Sequence, residues 1–241
     1  ATLCNAQEPA PHVNCTTTPM ETLTDAVRKA FEAAAPERVT ASWGHASGIN
    51  IAGIDPRTGE QYVTMVLASI ISGAGATQQM DGWHACGPLC CFGALSSGDI
   101  ELLEYQYPIL IHKYGLAQDS GGAGRYRGGS GTVWEVEPLG HEMTVIAFGE
   151  GRQIPTMGAA DAENGLHEPK LGRLEIVHDT DNTSVYTQNT LTHIQPGQRA
   201  RNTNPGGGGY GVAFERPVNA VLHDYVQGLI TAEGARLDYG V

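Results

Sequence analysis

Apolar positions recur at helical spacing near the start of the chain. Met20, Leu23, Val27, Phe31 and Ala34 fall on one stripe, the signature of an amphipathic α-helix. The start of that helix is marked too. Thr18 stands at the N-cap, Pro19 at the first helical position and Glu21 three residues after Thr18, which makes a capping box. Pro36 ends the run, so the pattern predicts a helix over residues 20–35. Beyond it the spacing turns to that of strands, predicted over residues 39–43, 48–54 and 61–69, with a turn at Asp55-Pro56-Arg57-Thr58-Gly59. Residues 72–81 form a loop of Gly, Ala and Gln. Strands are predicted over 100–107 and 109–115, separated by Pro108. In the first of these Glu101 and Glu104 point to opposite faces, so they do not pair. Residues 132–137 and 143–148 read as a hairpin, and 171–177, 184–187 and 199–203 as further strands. A loop over 205–211 leads to a closing helical region. There Val221, Leu222, Tyr225, Val226 and Leu229 give one stripe, and 231–239 is a short last helix. With no internal repeat and no low-complexity linker, residues 1–241 read as one α+β domain. It is strand-rich in the middle, with an N-terminal amphipathic helix and C-terminal helices.

Composition narrows the classes. The 241 residues are 41% hydrophobic and 17% charged, with 32 Gly. That is globular, loop-rich and poor in charge. A net charge of −12 argues against nucleic acid or an anionic membrane as a partner. The 5 Cys are odd in number and include the vicinal Cys90 and Cys91. They do not form a secreted disulfide framework, and a reducing cytoplasm is expected. No apolar run reaches the roughly 18 residues that span a bilayer, and no signal peptide is visible.

Several segments carry candidate chemistry. Residues 119–131 alternate Gly with Arg125 and Arg127. Such a run suits either a tight crossing of two strands or a nest of backbone N–H groups for an anion. His84, Cys86, Cys90 and Cys91 place soft ligands close together, but without the spacing of a zinc site; buried free thiols are the alternative. Gly73-Ala74-Gly75-Ala76, followed by Asp81-Gly82, would let backbone approach a ligand, yet it is no dinucleotide fingerprint. The Gly run at 206–209 lacks the Lys-Ser/Thr ending of a P-loop. His45 sits at a predicted strand end beside Gly44, where structural and catalytic roles both remain open. No Gly-x-Ser-x-Gly elbow occurs. The chain thus offers Gly-built loops without a complete catalytic constellation, as one piece of a multi-part enzyme would.

Tyr107-Pro108, Tyr114 and the run Asp119-Ser120-Gly121-Gly122-Ala123-Gly124-Arg125-Tyr126-Arg127-Gly128-Gly129 resemble the hydantoinase B/oxoprolinase family. Four further blocks agree. They are Asn5-Ala6 with Pro9-Ala10-Pro11; Gly73 to Ala76 with Asp81-Gly82; Asn204-Pro205 through Gly211; and Glu215-Arg216, Val221, Asp224, Gly228-Leu229 and Tyr239-Gly240-Val241. The resemblance covers essentially the whole chain, but only the C-terminal half of the usual family subunit. It implies an ATP-dependent complex in which an A-type subunit binds ATP and phosphorylates a poorly reactive carbonyl or enolate oxygen. The B-type part then hydrolyses a cyclic amide (hydantoin, oxoproline or lactam). Alternatives are carboxylation of a ketone of the acetone or acetophenone type, and a non-catalytic scaffold role. It implies no metal site in this chain, since the family's Asp- and His-rich motif has no counterpart here. A divalent metal is expected on a companion chain carrying the N-terminal half. Ser96-Ser97-Gly98-Asp99-Ile100-Glu101 departs from the commoner Asn-Pro-Val-Glu type of sequence, toward the carboxylase branch. The resemblance places catalytic roles at His45, Asp81 and His84, and substrate contacts at Gly73, Gly75, Arg125 and Arg127. For the arginines, loop-fixing salt bridges or subunit contacts are equal alternatives. Residues 119–131 then serve chiefly to shape and dock the backbone.

Overall fold

The computed structural model describes Gln7 and residues 18–91, 93–162, 171–178 and 182–241. Cys4, Cys15 and the family-like residues Asn5-Ala6 and Pro9-Ala10-Pro11 lie outside that set.

Two antiparallel sheets form the frame. The first, in spatial order, holds β2 (Gln61–Met65), β1 (Gly48–Ile54), β5 (Met143–Phe148) and β8 (Thr190–Ile194). The second holds β3 (Ile109–Leu116), β4 (Thr132–Pro138), β9 (Arg199–Thr203), β6 (Arg173–Val177) and β7 (Thr183–Tyr186). Their inner faces share one core. Ile49, Ile51, Met143, Val145 and Ile194 come from the first sheet, and Ile109, Trp134, Val136, Leu174 and Ile176 from the second. Alternation at period two puts these side chains inside. The outward side of the second sheet carries charge instead. Glu135 of β4 accepts from Arg199 and Arg201 of β9, each at 2.6 Å, a cross-strand ladder of opposite charges.

The α+β expectation holds, with the predicted 48–54 and 199–203 strands matching β1 and β9. Several local expectations fail for physical reasons. Residues 132–137 and 143–148 are strands, but not a hairpin: β4 lies in one sheet and β5 in the other, so the connection crosses the sandwich. Residues 100–107 form a helix, α2 (Ile100–Gln106), because the Asp99 carboxylate caps the amides of Glu101 and Leu102. Glu101 and Glu104 therefore share a helical face. Glu104 accepts from the amide of Ile111 at 2.7 Å, beside the irregularity that breaks register between Ile111 and Lys113. Residues 39–43 join no sheet; they run among the glycine segments described below. β8 escaped the sequence pattern because Thr-Leu-Thr-His-Ile on an edge strand gives little contrast between its faces.

The helices at either end depart most from expectation. α1 (Thr18–Glu32) forms where predicted, but its apolar stripe points outward. Met20, Leu23, Val27 and Phe31 are exposed, while Glu21, Asp25 and Arg28 are buried. Glu21 reaches the body of the protein. Its carboxylate accepts from the amides of Ala46 and Cys90. In α3 (Val218–Val226) Val221 and Asp224 face inward, and Leu222, Tyr225 and Val226 face out. α4 (Ala232–Tyr239) starts on Thr231, whose hydroxyl accepts from the Gly234 amide, and ends on left-handed Gly240 at φ 74°. Among the described residues no helix is long and apolar enough to cross a membrane.

Candidate functional site

Beside the sandwich, the segments around residues 41–44, 72–76, 127–131 and 205–209 pack backbone against backbone. The amide of Gly44 donates to Gly73, Ala76 to Gly208, Gly129 to Ala74, Gly207 to Gly129 and Gly208 to Ser42. Side chains have no room here. A Cβ on Gly73 would lie 1.9 Å from the Gly129 carbonyl oxygen, and one on Gly75 would lie 2.0 Å from that of Ala41. A Cβ on Gly128 would lie 1.9 Å from the Gly207 carbonyl oxygen. Close approach is why these positions are Gly. Of the two readings of residues 119–131, the backbone crossing is the one built. Most of its amides are used within the protein: Gly122 donates to Gly207, Gly128 to Gly122 and Tyr126 to Tyr210.

Two charged networks clasp this layer. In the first, α1 turns Asp25 onto His45. His45 Nε2 lies 2.8 Å from Asp25 Oδ2, and the Ser42 hydroxyl donates to the same oxygen at 2.6 Å. Arg28 donates to Asp25 at 3.1 Å and to Glu32 at 3.0 Å. His45 Nδ1 faces the Ile154 carbonyl at 3.3 Å, an oxygen that can only accept. Both ring nitrogens therefore donate, which makes the ring an imidazolium. Burial pulls the His45 pKa down, but the bond to Asp25 and the charges of Asp25 and Glu21 outweigh it and hold it above the ordinary 6.5. Burial would raise Asp25, yet its bonds from His45, Ser42 and Arg28 hold it below the usual carboxylate value. Glu21 is raised by burial in spite of the amides it accepts from.

In the second network Asp81 accepts a two-pronged bond from Arg216, at 2.8 and 2.7 Å, and the Arg127 amide at 2.7 Å. Asp224 of α3 accepts from Arg127 at 3.0 Å and from Arg216 at 2.8 Å. The two buried guanidiniums thus meet two carboxylates, a balanced set of the kind an interior tolerates. Burial would raise Asp81, but Arg216 and Arg127 hold it below its ordinary value. His84 sits beside this set. Its Nδ1 accepts the Ser130 amide at 3.0 Å, and burial together with the Arg127 charge lowers its pKa. His84 is therefore neutral, with its proton on Nε2.

The site residues expected from the sequence thus fall into two sets. Asp81, His84 and Arg127 come together. His45 stands in the other network, and the hydrogen bonds linking the two run through the glycine backbone. Gly73 and Gly75 are spacing elements of that backbone. Arg125 is exposed, 5.9 Å from the Tyr126 ring centroid. Arg216 and Asp224, which complete the second network, were visible only as members of family blocks; their partners are far off in sequence. Among the described residues no three His, Cys, Asp or Glu side chains converge to hold a metal ion. The amides of the Gly run at 206–208 go to Ser120, Gly129 and Ser42 carbonyls, so they offer no phosphate cradle. Neither a metal nor ATP fits the residues described here. Cys86 and Cys91 carry free thiols.

Comparison with known proteins settles the family. The model of the hydantoinase B/oxoprolinase family matches residues 1–213. The chain belongs to this family. It is 70% identical over 241 residues to caprolactamase subunit beta of Pseudomonas jessenii, covering all of this chain and 42% of that one. The crystal structure of the ATP-dependent caprolactamase from Pseudomonas jessenii superposes with a TM-score of 0.88 at 66% identity, again over 100% of this chain and 42% of the other. An acetone carboxylase in its nucleotide-free form shares the fold, with a TM-score of 0.67 at 19% identity over 88% of this chain and 32% of the other. The sequence therefore spans about two fifths of the length of the caprolactamase relatives it matches.

Proposed function

We propose that this chain is part of the B-type subunit of an ATP-dependent, multi-subunit enzyme that opens a cyclic amide, with a lactam as the substrate class. The observation that carries the reading is the 70% identity to caprolactamase subunit beta along the whole chain. An amide carbonyl is a poor electrophile. ATP use in such a complex fits phosphorylation of its oxygen by an A-type subunit, after which water can attack. ATP and any divalent metal belong, in this reading, to partner polypeptides, the latter to a companion portion carrying the N-terminal half of the subunit. The free thiols fit a cytoplasmic setting.

This chain's contribution centres on His84. A neutral imidazole with a fixed Nε2–H is a donor for charge developing on an acyl oxygen. Asp81 acts as a positioning residue. It holds the Arg127 amide, and Arg127 in turn depresses the His84 pKa. Arg125 is an exposed cation available to an anionic group, and Gly73 and Gly75 keep the underlying backbone close. His45, bonded to Asp25, orients α1. Ser96 to Glu101 had leaned toward a ketone carboxylase; the capping of α2 by Asp99 gives that segment a structural reason of its own. The test is turnover by the reconstituted complex. ATP-dependent release of the ring-opened amino acid from caprolactam supports the reading, and bicarbonate-dependent ATP use with acetone or acetophenone overturns it. His84→Ala is expected to lower kcat by about 100-fold or more, with assembly intact by native mass spectrometry. Unchanged kcat would remove His84 from the site.

A further inference from the structure

α1 is an amphipathic helix set in place the wrong way round for a lone domain. Its inward residues Glu21, Asp25, Arg28 and Glu32 are charged, spaced at i, i+4, i+7 and i+11. Each is bonded to the body of the protein: Glu21 to Ala46, Asp25 to His45 and Ser42, Arg28 to Thr40, and Glu32 to Ala160. Those bonds fix the roll of the helix. Its exposed residues Met20, Leu23, Ala26, Val27, Ala30 and Phe31 are all apolar. Phe31 is 63% exposed and Leu23 is 53% exposed. A protein surface seldom leaves so continuous an apolar strip to water without a partner. The steps from Met20 to Leu23, Val27 and Phe31 are three, four and four residues. That is the seam by which one helix packs on another, and Ala26 and Ala30 beside it let a second helix come close.

We propose that the outward face of α1 is the docking surface for an amphipathic helix from the portion of the B-type subunit that this sequence does not span. The inference rests on the family reading given above. The occupant follows from length. The matched caprolactamase subunit beta carries more than half of its chain outside the part aligned here, and this chain aligns with its C-terminal half. A portion that must seat on the aligned part needs an apolar surface, and α1 presents a continuous one, held rigidly. The fit is helix on helix, with apolar side chains on both sides and no requirement for a charge partner at the centre.

The test co-expresses this chain, tagged, with the remainder of the Pseudomonas jessenii subunit beta, and places a photo-crosslinking residue at Phe31 or, as a control, at the exposed Glu60. Crosslinking from position 31 to an apolar helical segment of the remainder, and none from position 60, is expected. The double variant V27D plus F31D should weaken retention of the remainder by about 100-fold or more. The circular dichroism and thermal midpoint of the chain alone should not change. Crosslinking of position 31 to a second copy of this chain or to the ATP-binding subunit overturns the proposal. So does full retention of the remainder by the double variant. An assembly that forms through this face but opens no lactam would take down the functional reading alone. A complex that hydrolyses lactam undiminished with V27D and F31D in place would take down the docking alone.

Discussion

The β-sandwich and the end helices follow opposite rules. In the sandwich the core is apolar, filled by Ile49, Trp134 and Ile176, while Glu135, Arg199 and Arg201 form a ladder on the far side of the second sheet and the outer strands leave Val63, Val185 and Leu191 exposed. In α1 and α3 the buried side holds Asp25, Arg28 and Asp224, and the open side holds Leu23, Phe31, Leu222 and Val226. The helices instead clasp a glycine layer whose backbone demands hydrogen-bonding and charged partners, and their apolar sides are exposed. Polarity here tells which surfaces belong to the chain and which to an assembly.

The contrast can be broken most sharply in the sandwich. Trp134→Ala removes a fully buried side chain and should cost about 4 kcal/mol in urea unfolding; a loss below about 1 kcal/mol would mean that the two sheets do not share one core. Next comes the clasp. Asp224→Asn leaves Arg127 and Arg216 with one carboxylate fewer in a buried setting, with an expected loss of about 3 kcal/mol. Full stability in this variant would show that the network is solvated. The glycine layer follows. A Cβ at Gly207 would stand 2.0 Å from the Ala74 carbonyl oxygen, so Gly207→Ala should cost about 2 kcal/mol; a neutral result would show slack between the segments.

A smaller effect is the pH response of α1. The His45 pKa is higher folded than unfolded. Its contribution is therefore complete below about pH 6.5 and is lost as pH rises through the folded value. Asp25 works in the other direction, contributing above its ordinary value and losing that contribution as pH falls through its depressed one. Stability should decline as pH rises from near neutrality, and His45→Gln should flatten that decline. An unaltered profile would assign the slope elsewhere. Smallest of all, V27D plus F31D should change the stability of the chain alone by no more than about 0.5 kcal/mol.

How much of this was legible follows the same division. β1 and β5 were legible as strands because one side of each meets a closed core. The hairpin reading of β4 and β5 failed because a short connection says nothing about which sheet receives the second strand. α2 was read as a strand although Asp99 stood ready to cap it. The stripes of α1 and α3 were found, but periodicity cannot tell which side faces home when both sides have partners. In the candidate site the family blocks flagged Asp81 and Arg127, while His84 was singled out from the His-Cys segment that follows Asp81. The pairings to Arg216 and Asp224, and of Asp25 to His45, join residues that spacing does not connect.

The central claim is that α1 turns its charged face inward and leaves its apolar face for a partner. Thiol labelling of Val27→Cys, followed by peptide mass spectrometry in the chain alone and in the assembled complex, tests it most directly. The account predicts rapid labelling in the chain alone and strong protection in the complex. Slow labelling in the chain alone, or equal rates in both, would contradict it.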